Sequence, residues 1–237
     1  KLGHSIYDNF DEKASQPASN LPHVRTEIVD YLNGAETYLS KLQLDYIWSP
    51  KRNMFAKLSG GIFEQMYGGY GAEFIYKPFH RNIAVGYEFY RVKRREYDQK
   101  FNFFDYKVQT DHINFAYYHP RSHILFKTSY GNYLAKDTGF TLDLSRRMPS
   151  GLQIGFFFSR TDVPFDLFGE GSFDKGFYFN IPNNLFIKNQ TRAFTSFGLK
   201  TLTRDGGQKL NIDNPLIDIF YKTNKTEISE GWNEFLY

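Results

Sequence analysis

A chain of 237 residues can bury a full core in one domain, so a second domain is not required. With 29 basic against 26 acidic residues the net charge is +3, too balanced for the strongly basic face that nucleic-acid binding needs. Cysteine is absent, which excludes a disulfide framework, and no apolar run approaches the roughly 20 residues of a membrane-spanning helix.

Aromatic residues make up 19% of the chain, carried by 25 Phe and 18 Tyr. A soluble β core is filled mainly by Val, Ile and Leu, whereas outer-membrane barrels place aromatic girdles at both interfaces. The chain begins at Lys1 without Met and without a signal-type apolar segment, as expected of a processed chain or part of a longer one.

Residues 1–34 do not alternate. Asn20-Leu21-Pro22 followed by Val24, Ile28 and Leu32, spaced by four, predicts a short amphipathic helix ended by Gly34. From about residue 36 the polarity alternates with period two, about ten times over. Leu42, Leu44, Tyr46 and Trp48 oppose Lys41, Gln43 and Asp45; Met54, Ala56, Leu58 and Ile62 oppose Lys57, Ser59 and Gly61. The clearest run sets Ile83, Val85, Tyr87 and Phe89 against Ala84, Gly86 and Glu88. The same pattern returns in runs centred near Phe74, Phe115, Phe126, Leu142, Phe156, Phe177 and Phe197.

Pro50, Pro78, Pro120, Pro149 and Pro182 mark every second connection. Proline lacks a ladder donor and belongs at strand ends and turns. If the strands alternate in direction, these turns share one end. The connections Glu64–Gly71, Lys93–Tyr106, Gly131–Thr138 and Arg160–Lys175 share the other, with more Gly and charge. After about residue 205 the alternation is read as stopping. Asn214-Pro215 followed by Leu216, Ile217, Ile219 and Phe220 predicts a capped short helix, and residues 226–237 a further one.

Alternation alone does not say which face is wet. The apolar face is repeatedly Phe, Tyr, Leu and Ile, too bulky for a closed core of about ten strands, while the other is rich in Gly, Ala, Ser, Asn and Thr, which suits a narrow wet or plugged lumen. The predicted fold is therefore all-β: an antiparallel up-and-down transmembrane β-barrel of about ten strands with short flanking helices. Its expected organisation is an N-terminal loop and helix over 1–34 (plug or linker), the barrel over 35–205 and a helical tail over 206–237. Lys57, Glu73, Glu88, His112 and Asn114 are expected to line the lumen as ligand-binding candidates, together with Lys127, Asp143, Tyr178 and Lys200.

Little in the chain points to catalysis or metal chemistry. The six His residues show no metal-ligand spacing, and no metal or cofactor is expected. Gly68-Gly69-Tyr70-Gly71 resembles a phosphate loop, but no helix follows to receive an anion, so a hairpin turn is the better reading. Ser129 and Ser145 are predicted inward, with no His near either in the pattern, so no enzyme is expected. Arg91, Lys93, Arg94 and Arg95 follow the apolar part of their strand. Two readings stay open for them: a solvated strand extension, or contact with lipopolysaccharide phosphates or an anionic glycan. The Gly-rich, charged stretch 169–176 offers loop candidates Glu170, Asp174 and Lys175, joined by Arg204 and Asp205.

Gly169-Glu170-Gly171-Ser172-Phe173-Asp174-Lys175-Gly176-Phe177-Tyr178 through Ile181-Pro182, and Leu202-Thr203-Arg204-Asp205-Gly206-Gly207-Gln208, resemble the C-terminal part of the YjbH family. So do Leu21-Pro22-His23-Val24-Arg25, Gly61 to Gly71, Asp105-Tyr106-Lys107-Val108 and Leu142-Asp143-Leu144-Ser145-Arg146. The resemblance runs in order over about residues 5–210. It implies an outer-membrane protein of a Gram-negative exopolysaccharide or capsule export locus, longer than this chain, whose C-terminal barrel is represented here. It brings no catalytic or binding residues. The implied partners are a secreted polysaccharide, outer-membrane lipids or lipopolysaccharide, and export-locus proteins of the periplasm or outer membrane. The expected function is passage of polysaccharide across the outer membrane. A plugged scaffold barrel recruiting export partners is the first alternative, and a barrel enzyme acting on lipid or glycan the second.

Overall fold

A computed structural model describes residues 1–4, 21–148, 150–164, 173–183, 186, 194–200 and 204–223. Ten strands form one antiparallel sheet in strict sequence order: β3 (Leu42–Lys51), β4 (Met54–Ile62), β5 (Tyr67–Tyr76), β6 (Ile83–Arg95), β7 (Phe103–His119), β8 (Ile124–Asn132), β9 (Thr138–Arg147), β10 (Gln153–Thr161), β11 (Asp174–Pro182) and β12 (Phe194–Lys200). Two short strands, β1 (Leu2–His4) and β2 (Thr37–Leu39), pair beside it. Helix α1 (Ile28–Asn33) is followed by Gly34 as expected but starts only at Ile28, leaving Val24 outside it, and α2 (Leu216–Lys222) begins after Pro215 as the spacing predicts. Residues 226–237 lie outside the described residues, as does Pro149.

Every neighbouring pair is a simple hairpin, so the connections segregate to two ends. At the proline end are 52–53, 77–82, 120–123, 148–152 and 183–193; at the elaborated end are 63–66, 96–102, 133–137 and 162–173. Two expected connections shorten. Gly68 to Gly71 lies inside β5 rather than in a turn, and β6 and β7 extend through most of the stretch between Lys93 and Tyr106. The ladder holds there because Gly68, Gly69 and Gly71 pair with Lys93, Val92 and Tyr90.

The sheet is not closed: β3 and β12 each pair on one side only among the described residues. It is nevertheless strongly curled. Eight strand steps separate β3 from β11, roughly 38 Å if the sheet were flat. Yet Lys41 Nζ, just before β3, bonds Asp213 Oδ1 at 2.7 Å, and Asp174 of β11 accepts from Gln208 Nε2 at 2.8 Å. Five residues of extended chain reach no more than about 18 Å, so segment 204–223 can touch both only from inside a curved wall.

Around that wall the faces follow the alternation. Leu44, Leu58, Phe74, Tyr87, Ile113, Phe156 and Phe177 are exposed on the outer face, while Lys57, Glu73, His112, Asn114 and Ser145 are buried on the inner. Ile62 departs from expectation: it is buried rather than beside Leu58. The residue before it, Gly61, has a φ of +124°, while the pairing of β4 with β3 and β5 runs through it without a shift. A Cβ on Gly61 would lie 2.1 Å from the Leu42 carbonyl oxygen, so only glycine fits.

Candidate functional site

The interior is built in three layers. At the elaborated end Val24, Tyr31, Phe63, Met66, Tyr67, Tyr90, Val92, Val108 and Leu134 form an apolar stopper, with Ile28 of α1 packed against it. At the proline end Leu216 and Phe220 of α2 pack on Ile75, Ala84, Ala116, Tyr118 and Leu125. The polar layer lies between, and segment 204–223 threads all three.

The layer is organised by one cross-strand row. Lys57, Glu73, Glu88 and His112 stand opposite one another in succession on β4, β5, β6 and β7. The period-two pattern sends all four inward, and the registers put them level. Two carboxylates facing each other repel, so each takes its own cation. Lys57 Nζ lies 2.7 Å from Glu73 Oε1, with both side chains buried. Tyr90 donates its hydroxyl to Glu73 at 2.5 Å. Glu88 is neutralised from outside the row, by Lys209 Nζ at 2.7 Å, and His112 Nδ1 lies 3.1 Å from the same oxygen. Lys209 also donates to Ser129 Oγ at 3.2 Å.

The remaining contacts bind the threaded segment along its length. One oxygen of Asp205 accepts from three successive backbone N–H groups, Val24 at 2.9 Å, Arg25 at 2.8 Å and Thr26 at 3.1 Å. Gly207 N–H donates to Asp137 at 2.7 Å. Arg25 forks onto Glu64 at 2.7 and 3.1 Å, and Asn211 N–H reaches Glu64 at 3.3 Å. Lys57 donates to the carbonyls of Asp213 and Asn214 at 3.2 and 3.0 Å, and Leu216 N–H to Glu73 at 2.6 Å. Lys77 holds the far end through the Thr223 carbonyl at 2.7 Å. Asp213 sits at the mouth. Partial burial would raise its pKa, but Lys41 and Lys1 hold it below the usual carboxylate range.

Most expected lumen residues meet here. Asn114 is buried on the inner face opposite Ser129. Lys127 and Asp143 face each other on β8 and β9, with 3.6 Å between Nζ and Oδ2, and Lys127 lies 3.8 Å from Asp218 of α2. Tyr178 donates to Asp143 at 2.9 Å. Lys200 stands at the open edge of β12, exposed, where it shares a polar cavity of about 470 Å³ with Lys41, Gln208 and Asp213. Among the loop candidates, Asp174 is buried beneath Gln208, Arg204 donates to the Phe173 carbonyl, and Asp205 is the anchor described above. Lys175 is corrected. It lies in β11, opposite Phe158 on the outer face, its ammonium 5.1 Å from the Phe173 ring centroid, because the strand begins before it. Glu170 lies outside the described residues.

The basic run of β6 divides. A register shift between Lys93 and Arg95 turns Arg95 inward, where it is fully buried and donates to the carbonyls of Leu39, Glu64, Gln65, Gln99 and Lys100. Arg94 pairs with Glu27 at 3.1 Å and stacks on Phe104. Neither is a solvated extension or a free phosphate ligand; only Arg91 and Lys93 remain on the outer face. The expectation also missed Lys209, Arg25, Glu64 and Asp213. A signal was present: Lys209, Asn211 and Asp213 alternate with Leu210 and Ile212, which pack against the elaborated-end stopper. The segment is extended and two-faced, although it pairs with no strand.

These features define an antiparallel sheet turned apolar side out, curled around a segment of its own chain and a buried polar layer. The chain belongs to the YjbH family, described as exopolysaccharide biosynthesis protein YbjH, which it matches over residues 1–222. It is 37% identical over 218 residues to the uncharacterized lipoprotein YjbH of Escherichia coli (strain K12), covering 90% of this chain and 31% of that protein. The chain thus spans about a third of the length of that relative. No solved structure matches.

Proposed function

We propose that this chain is an outer-membrane β-barrel wall within a longer exopolysaccharide-export protein, closed at rest by its own segment 204–223. The inversion of its faces carries the reading. Leu44 is 79% exposed and Ile113 59%, while Lys57 is fully buried. In water this arrangement leaves a continuous apolar band uncovered and buries the charges, the reverse of a soluble protein. In a bilayer both faces are satisfied. Strands β3 to β11 are 9–17 residues long, enough for the roughly 9–11 of a tilted membrane strand. The family's description supplies the polysaccharide, and the relative's description as a lipoprotein supports an envelope location. We read the role as non-catalytic, with Ser129 accepting from Lys209 and Ser145 from Gln153 at 2.9 Å as parts of the wall's own polar contacts.

Single-cysteine labelling in liposomes tests the wall. Phe156→Cys should resist an aqueous maleimide and react with a bilayer-phase probe; aqueous labelling would remove the lipid-facing assignment.

The threaded segment favours a second reading, a non-conducting scaffold that recruits export partners. Planar-bilayer recording of an Asp205→Ala/Lys209→Met variant separates the two. Current on loosening the segment supports passage, and silence supports the scaffold.

A further inference from the structure

On the outer face, Lys93 and Lys107 stand directly opposite each other in the β6–β7 ladder. Like charges so placed destabilise a sheet unless something neutralises them. Nothing in the described chain does. Asp105 and Asp111 share this face, but Asp111 is bonded to Asn132 at 2.9 Å and neither acid comes within ion-pairing reach of these lysines. The third member of the row, on β5, is Gly68, which brings no charge to Lys93 and is covered by the Phe103 ring. A Cβ there would come within 3.0 Å of the Phe103 ring. Arg91 lies two residues along β6, its guanidinium 5.7 Å from the Phe89 ring centroid and its Nε 3.3 Å from Gln109 Oε1. Together Gly68, Tyr70, Arg91, Lys93, Lys107 and Gln109 border a groove of about 450 Å³.

The level of this groove identifies its occupant. The outward stripe of β6 runs Ile83, Val85, Tyr87, Phe89 and then changes at once to Arg91 and Lys93. Lipid phosphates lie at the boundary between apolar band and water, where basic side chains meet them. We propose that Lys93, Lys107 and Arg91 form a binding site for the phosphate of an anionic membrane lipid headgroup. This rests on the lipid-facing reading of the outer face.

The test uses the protein reconstituted in phosphatidylcholine nanodiscs, with and without phosphatidylglycerol, and compares it with a Lys93→Gln/Lys107→Gln variant. Phosphatidylglycerol should raise the wild-type melting temperature and leave the variant's unchanged. In pure phosphatidylcholine the variant should melt no lower than wild type, because it has lost a repulsion. Each lysine near an anionic surface is worth about fivefold in affinity, so phosphatidylglycerol binding by native mass spectrometry should weaken about thirtyfold. A variant that keeps the phosphatidylglycerol response, or melts lower in pure phosphatidylcholine, overturns the site. Equal protection of the detergent-solubilised wild type by inorganic phosphate overturns the lipid as its source. Insertion without a phosphatidylglycerol preference overturns this site alone, whereas failure to insert into phosphatidylcholine overturns the membrane reading itself.

Discussion

The two faces of this sheet each carry a row of opposed like charges, and they resolve it differently. Inside, Glu73 faces Glu88, and protein cations flank them: Lys57 from the neighbouring strand and Lys209 from the threaded segment. Outside, Lys93 faces Lys107 beside a glycine, and no acid of the described chain comes within ion-pairing reach. The inner row is cut off from water, where an uncompensated charge is very costly. The chain must complete it, and Lys209 links the threaded segment to the electrostatics of the wall. The outer row is open to its surroundings, so its partner can come from the environment. Repulsion alone is therefore a poor guide to a defect; what matters is which side of the wall supplies the counter-charge.

The comparison breaks first if the inner row is weaker than its burial implies. Lys57→Met leaves Glu73 unpaired and opposite Glu88, with an expected loss of about 3–5 kcal/mol in denaturant unfolding of the detergent-solubilised protein. A loss under about 1 kcal/mol would place that row on the footing of an exposed surface pair. The outer face is challenged next by Phe156→Arg, expected to cost about 2–4 kcal/mol in a bilayer and close to nothing if that face is wet. Folding titrations into lipid vesicles read the difference. The smallest effect belongs to the mouth. Asp213 is held in its charged form by Lys41 and Lys1, so its contribution is present above the ordinary aspartate pKa of about 3.9 and is lost as pH falls through its lower folded value. Protection of the 208–213 backbone from hydrogen exchange should hold from neutral pH to about pH 4 and decline only below it. A decline beginning near pH 6 would point to a histidine instead.

Much of the wall was legible because its signal is local. The alternation in the runs around Phe74, Phe115 and Phe156 assigns each side chain to a face without knowledge of any partner. The five prolines likewise sort the connections into two ends, since an antiparallel meander needs only the strand count to do so. Lys57, Glu73, Glu88 and His112 could be named as inward from parity alone, but not as one row: their alignment depends on three registers set by hairpin geometry. Ile62 and Arg95 were misplaced for a related reason. Arg95 turns inward at a register shift and Ile62 is buried next to a positive-φ glycine, and neither feature leaves a mark in a polarity pattern.

By itself the sequence determined the ten strands of the main sheet, most of their faces, the two ends and the short helices at Ile28 and Leu216. All are short-range consequences of side-chain periodicity and backbone sterics. Tertiary structure alone decided that the sheet curls without pairing β3 to β12 among the described residues, and that segment 204–223 threads the interior. The contacts that hold it there join residues as far apart as Val24 and Asp205, or Glu88 and Lys209. Such pairings are selected by charge and shape complementarity across the folded wall, which no window of neighbouring residues contains.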